Sequence, residues 1–82
     1  MNYVLSNHAA EKIKRRKIPI DFIDSVLNDP QQILENDGFL TYQSKIEKDN
    51  KEYLLKIFVN PYVNPNLIIT VYLTNKISKY WK

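Results

Sequence analysis

The chain has 82 residues, with 12 Lys and Arg against nine Asp and Glu, a single His, a single Gly and no Cys, for a formal net charge of +3. That length sets one small domain, 1–82, burying a little over ~60 % of the surface its unfolded chain exposes, and the missing cysteines exclude a disulfide framework, thiolate zinc and a cysteine nucleophile. No apolar run reaches the ~18 to 20 residues that span a bilayer, and the first residues lack a secretory signal pattern, so a cytoplasmic protein with no membrane contact is expected.

Tyr3 to Ser6 reads as a short extended start, and either Ser6 or Asn7 can cap a helix running to about Lys17. On that helix Ala9, Ala10, Ile13 and the stem of Lys17 make the buried stripe. His8, Lys12, Arg15 and Arg16 stack beside it as a polar stripe at i, i+4 and i+7/i+8. The segment from Asn7 to Lys17 carries five basic residues against one Glu11. Pro19 is tolerated only in a first helical turn, and Phe22, Ile23, Val26 and Leu27 give the doublet spacing of a second amphipathic helix that ends before Pro30. Asp21 and Asp24 suit its positive N-terminal end.

After Pro30 the period changes from helical to alternating. Gln32 to Glu35 is a short strand, Asp37-Gly38 a tight turn, and Phe39 to Glu47 a strand alternating Phe39, Thr41, Gln43 and Lys45 with Leu40, Tyr42, Ser44 and Ile46. Lys48 to Lys51 makes the next turn, Tyr53 to Val59 the next strand, and the stretch from Asn60 to Asn66, with Pro61 and Pro65, a loop. Leu67 to Thr74 is the strongest strand. Alternation places Leu67, Ile69, Val71 and Leu73 on its core face and Ile68, Thr70, Tyr72 and Thr74 on the other. The expected architecture is α+β: a short N-terminal strand, two helices on one sheet face, and an antiparallel meander of three to four strands.

Charge is uneven along the chain. Residues 21–37 hold Asp21, Asp24, Asp29, Glu35 and Asp37 with no base, whereas Lys76, Lys79 and Lys82 make the last seven residues purely basic. If folding joins the first helix to the C-terminal residues, they form one cationic face; otherwise the charge is solvated surface. One histidine and nine scattered carboxylates offer no ligand cluster, so no metal or other cofactor is expected, although carboxylates brought together by folding could hold magnesium.

His8-Ala9, Lys12-Ile13, Arg16 and Ile18 resemble the His-Ala…Arg-Met…Arg-Gly-Ile opening of small bacterial proteins of unknown function related to the RelE/ParE and BrnT-like toxins. Val26-Leu27 with Asn28-Asp29-Pro30, and Ile69-Thr70-Val71-Tyr72 with Thr74, are similar to the same family, so the likeness spans nearly the whole chain. Lys17 stands where that family usually has glycine, Lys12 replaces arginine and Pro19 replaces a capping Ser or Thr. The resemblance implies a RelE-like fold and a metal-independent endoribonuclease, the toxin of a type II toxin–antitoxin pair, neutralised by an adjacently encoded antitoxin.

The residues available fit that chemistry in part. Cleaving RNA without metal needs a base for the 2′-hydroxyl proton, an acid for the leaving 5′ oxygen, and cations at the phosphoryl group. His8 is the acid/base candidate, with Lys12 and Arg16 one and two helical turns further along its stripe. Tyr42, Tyr72 and Thr74 on the polar sheet face could stack a base or bond the backbone, with Arg15, Lys45, Lys76 and Tyr80 as further substrate contacts. For the tyrosines, packing across neighbouring strands is the plainer role, and Trp81 suits core completion or a protein contact. The alternative function is a non-catalytic module that binds nucleic acid or protein through the same basic surface, with His8 structural. A homodimer is compatible with either.

Overall fold

A computed structural model describes every residue from Met1 to Lys82. The elements are β1 (Tyr3–Leu5), α1 (Asn7–Arg15), α2 (Ile20–Asn28), β2 (Gln32–Asn36), β3 (Phe39–Lys48), β4 (Lys51–Asn60), β5 (Asn66–Thr74) and a terminal turn α3 (Ile77–Tyr80). They form one five-stranded sheet in the order β1-β5-β4-β3-β2, with both long helices on one face. The class is α+β, and the sheet is mixed.

The expected meander is present as β2 to β5, four antiparallel strands in sequence. The correction concerns β1, which adds to the β5 edge in parallel and so makes a fifth strand. Three residues cannot hold an extended conformation alone, and the β5 edge satisfies their backbone groups while Tyr3 and Leu5 pack inward. The phenol of Tyr3 donates a 2.6 Å hydrogen bond to Asp24 of α2. Burial, that bond and the Asp24 charge push the Tyr3 pKa up to about 12.

Two-residue turns set the hairpins. Asp37 and Gly38 have φ of 54° and 85°, Asp49 and Asn50 φ of 55° and 64°, so both turns have paired positive φ, which matches the twist of the flanking strands. The α1 terminus is more unusual. Ser6 Oγ caps its start by accepting from Ala9 N at 2.9 Å and donates to the Ile69 carbonyl at 2.7 Å. At its end Ile18 N–H reaches back to the Ile13 carbonyl at 3.0 Å, which places Lys17 in the left-handed region at φ 53°. This is a Schellman termination with lysine in glycine's place. The helix therefore stops at Arg15, two residues short of the expected Lys17. Lys17→Gly is expected to stabilise the fold by about 0.5–1 kcal/mol in urea denaturation, because only the side chain's Cβ is strained there. A loss of stability would mean that the Lys17 stem contributes more packing than its backbone costs.

The core unites Ala9 of α1, Ile18, Ile23, Val26 and Leu27 of the α2 region, and Leu55, Ile57, Val59, Ile68, Val71 and Leu73 of the sheet. Strand β5 corrects the expected alternation. Ile68 pairs with Val59 and Thr70 with Phe58, leaving Ile69 as the extra residue of a β-bulge. Ile68 consequently faces the core, while Ile69 and Thr70 both reach the open face. Val71 and Leu73 resume the inward pattern as expected.

Candidate nucleic-acid interface

Strand pairing arranges the open sheet face in rows that cross the strands. Tyr72, Lys56, Gln43 and Gln32 lie side by side in one row; Thr74, Leu54 and Lys45 make the next row toward the β3–β4 turn. On the other side come Thr70, Phe58, Thr41 and Leu34, followed by the β2–β3 turn.

The C-terminal residues lie across the first of these rows. Tyr80 meets Tyr72 edge-on, with ring centroids 5.7 Å apart and planes at 80°, and its carbonyl accepts a 3.4 Å hydrogen bond from Gln43 Nε2. The Lys82 backbone N–H donates to Gln32 Oε1 at 3.3 Å, and the Trp81 ring lies 4.3 Å from Lys45 Nζ. Gln43 beneath them is 0 % exposed, and its Oε1 has no partner.

Helix α1 reaches the same face around the edge. Because β1 pairs only with Asn66–Ile68, the outer edge of β5 beyond the bulge has no neighbouring strand. Arg16 Nη2 donates to the Leu73 carbonyl there at 3.1 Å. One turn earlier Lys12 holds its ammonium 5.1 Å from the Tyr72 ring centroid, and His8 lies one turn earlier again, ~6 Å along the axis. His8 is exposed. The helix and the C-terminal lysines thus meet across Tyr72 and Tyr80, giving the single cationic face that the charge pattern offered as one of two outcomes.

Four lysines interleave with four rings on this face. Lys12 sits by Tyr72, Lys79 5.4 Å from Tyr80, and Lys56 between Tyr80 at 4.3 Å and Phe58 at 5.5 Å; Lys45 continues the series at Trp81. None of these ammonium groups is paired with a carboxylate, since the two ion pairs of the molecule are Arg15–Glu11 at 3.2 Å and Lys48–Asp49 at 3.1 Å. Ring faces offset cationic charge only partly, by about 0.5–1 kcal/mol each at exposed sites, so the face retains its attraction for phosphate.

Lys56 is the least comfortable of the set. Burial lowers its pKa below the ordinary 10.5 and the Lys82 charge lowers it further, against an opposing effect of Tyr72. A lysine with a depressed folded-state value binds protons less readily than its unfolded counterpart, so its effect on stability becomes more favourable as pH rises toward 10.5. Lys56→Met is therefore expected to leave the neutral-pH melting temperature unchanged or higher and to flatten its rise at alkaline pH. The same variant should weaken the attraction of this face for a single-stranded polyphosphate, lowering the slope of log K against log salt by about 0.7 for one lost phosphate contact. An unchanged slope would remove Lys56 from the cationic face.

The fold distributes the sequence candidates unequally. His8, Lys12, Tyr72, Tyr80 and Lys45 share the α1 edge and open face. Arg15 turns to Glu11, and Thr74, 8 % exposed, accepts from the Lys76 backbone N–H at 3.1 Å. The Lys76 side chain is exposed ahead of α3. Tyr42 is the misplaced candidate: it pairs with Ile57 and packs against the helix-covered core, on the opposite face from Tyr72. Its strand parity predicts this, for Tyr42 alternates with the polar Thr41 and Gln43. Lys56 and Phe58 were missed by sequence reasoning. Their signal was a lone lysine inside the otherwise apolar run Tyr53 to Val59, a position that an inward-facing strand residue would not occupy. No group of three or more metal-ligating side chains comes together.

The family model for DUF4258, a domain of unknown function, matches residues 5–73, which include His8, Lys12, Arg16, Lys56, Phe58 and Tyr72 and leave α3 and the last residues outside. Neither the curated proteins nor the solved structures contain a match. With most of its length matched, the chain belongs to the DUF4258 family of domains of unknown function.

Proposed function

We propose that this protein binds single-stranded RNA along the α1 edge and the open sheet face and cleaves it without metal, as the toxin of a type II toxin–antitoxin pair. One observation carries the proposal: the helix bearing His8 is continuous with an aromatic and cationic platform, through the 5.1 Å approach of Lys12 to Tyr72 and the edge-on contact of Tyr72 with Tyr80. Single-stranded RNA is held by such a combination, with bases on aromatic rings and phosphates on Lys and Arg. The succession of β1, two helices and a four-stranded meander is also in keeping with a RelE-like fold.

In this scheme the 2′-hydroxyl loses its proton to His8 and its oxygen attacks the adjacent phosphorus. A 2′,3′-cyclic phosphate forms as the P–O5′ bond breaks, and the 5′ oxygen leaves with a proton taken from solvent water. Lys12 and the remaining N–H groups of Arg16 oppose the charge that builds on the phosphoryl oxygens. An acidic antitoxin covering the same lysines would block the RNA path.

A non-catalytic RNA-binding module is the second reading. It is favoured by the engagement of Arg16 with Leu73 and of Thr74 with Lys76, which gives two candidates structural work. Purified protein incubated with labelled single-stranded RNA in chelator separates the two. Discrete fragments ending in cyclic or 3′ phosphate support the toxin; intact RNA bound with steep salt dependence supports the module; absence of binding overturns both.

A further inference from the structure

We propose that the uncovered trough beside the C-terminal residues is a nucleobase pocket that selects guanine within single-stranded RNA, an assignment that rests on the RNA-binding proposal and specifies its substrate. The row of Thr70, Phe58 and Thr41 forms the trough floor, between Tyr80 and Lys82 on one side and the β2–β3 turn on the other. Two overlapping hollows, of about 520 and 550 Å³, share Asn36, Thr41 and Phe58. Their far ends differ in charge. Lys56 and Lys82 line one against a single Glu35, for a net positive end, and Asp37 with Phe39 lines the other with no cation.

This polarity matches a nucleotide laid lengthwise. The Lys56 ammonium is 5.5 Å from the Phe58 ring centroid, so a phosphate held by Lys56 brings its own base onto Phe58, with Phe39, 44 % exposed, as the outer wall. At the opposite end a polyanion can approach Asp37 only through an uncharged base edge that carries donors. Guanine alone among the four bases presents two adjacent donors there, N1–H and the 2-amino group, and a carboxylate accepts both. Adenine and cytosine place an acceptor beside their amino group, and uracil flanks one donor with two carbonyls. The turn that carries the carboxylate is buttressed. Asp37 sits on a turn whose Gly38, at φ 85°, is closed over by Tyr62, so that even a Cβ at Gly38 would meet the Tyr62 hydroxyl at 2.5 Å. An acceptor carried on a buttressed turn loses less freedom on binding than one on a free loop.

The test uses uridine pentamers carrying one central G, A, C or inosine, with fluorescence anisotropy as readout. The G-containing strand should bind roughly tenfold more tightly than the others, and inosine, which lacks the 2-amino group, should lose most of that margin. Asp37→Asn should abolish the G preference, bringing the G-containing strand level with the A-containing strand, and Phe39→Ala should weaken the G strand most. Equal affinity for all four strands, or a G preference that survives Asp37→Asn, overturns the guanine pocket while RNA binding stands. If no pentamer binds, the RNA-binding proposal itself falls, and the pocket with it.

Discussion

His8→Ala is expected to lower the rate of RNA cleavage by about 10²- to 10⁴-fold while leaving RNA affinity within about twofold, measured in chelator with single-turnover kinetics and anisotropy side by side. The separation follows from where the imidazole sits. His8 is exposed in the first turn of α1, and the Ser6 hydroxyl, not His8, caps that helix by binding the Ala9 N–H. Truncating it therefore removes a proton-transfer group without opening the core or freeing a cap. In the proposed scheme affinity is carried by Lys12, Lys56 and Lys79 around their rings, and Lys12 also opposes the phosphoryl charge, so Lys12→Met should lower both rate and affinity, with a shallower salt slope. Cleavage that persists at the parental rate in His8→Ala would remove the histidine from the chemistry. A matching fall in rate and affinity would make it a binding residue.

Apart from α3, a single turn that was not expected, the elements were legible because each carries a local signal that tertiary packing did not override. The Phe22, Ile23, Val26 and Leu27 doublets gave α2, and Asp37-Gly38 gave the first hairpin turn, where paired positive φ is required. What was hidden lies in relations between distant segments. The parallel docking of β1 on β5 depends on an edge left free by the other strands, which three residues of sequence cannot announce. The Ile69 bulge is invisible to alternation because Leu67, Ile68 and Ile69 are interchangeable in hydrophobicity; only the pairing of Phe58 with Thr70 and Val59 with Ile68 reveals which of them is extra. The site was half legible for the same reason. Lys12 and Arg16 follow from helical spacing, but the meeting of Lys12 with Tyr72 and Tyr80 requires α1 to run along a strand edge and α3 to fold back over the sheet. Tyr42 and Tyr72 are both strand tyrosines, and side of sheet, not residue type, decides that one is core and the other platform.

Ile57→Ala and Leu54→Ala separate the two faces by stability and function. Both side chains are 0 % exposed on β4, yet Ile57 belongs to the main core between Tyr42 and Val71, whereas Leu54 lies outside that cluster, on the side where Trp81 stands over Lys45. Emptying the Ile57 site leaves a cavity walled by sheet and helices that cannot collapse, so a loss of about 3–4 kcal/mol and a fall in melting temperature of roughly 12–32 °C are expected. In a domain of this size, with total stability on the order of 4–12 kcal/mol, that variant approaches the limit of folding at physiological temperature. Its RNA affinity per folded molecule should be unchanged. Leu54→Ala should cost only about 2 kcal/mol, because the short C-terminal turn can settle into the space, and that settling moves Tyr80 and Trp81 away from Lys56 and Lys45. RNA affinity should then fall severalfold in a protein that remains folded at room temperature. Equal effects of the two substitutions on affinity would mean that the C-terminal turn does not shape the platform, and that Lys12, Lys56 and Tyr72 hold RNA without it.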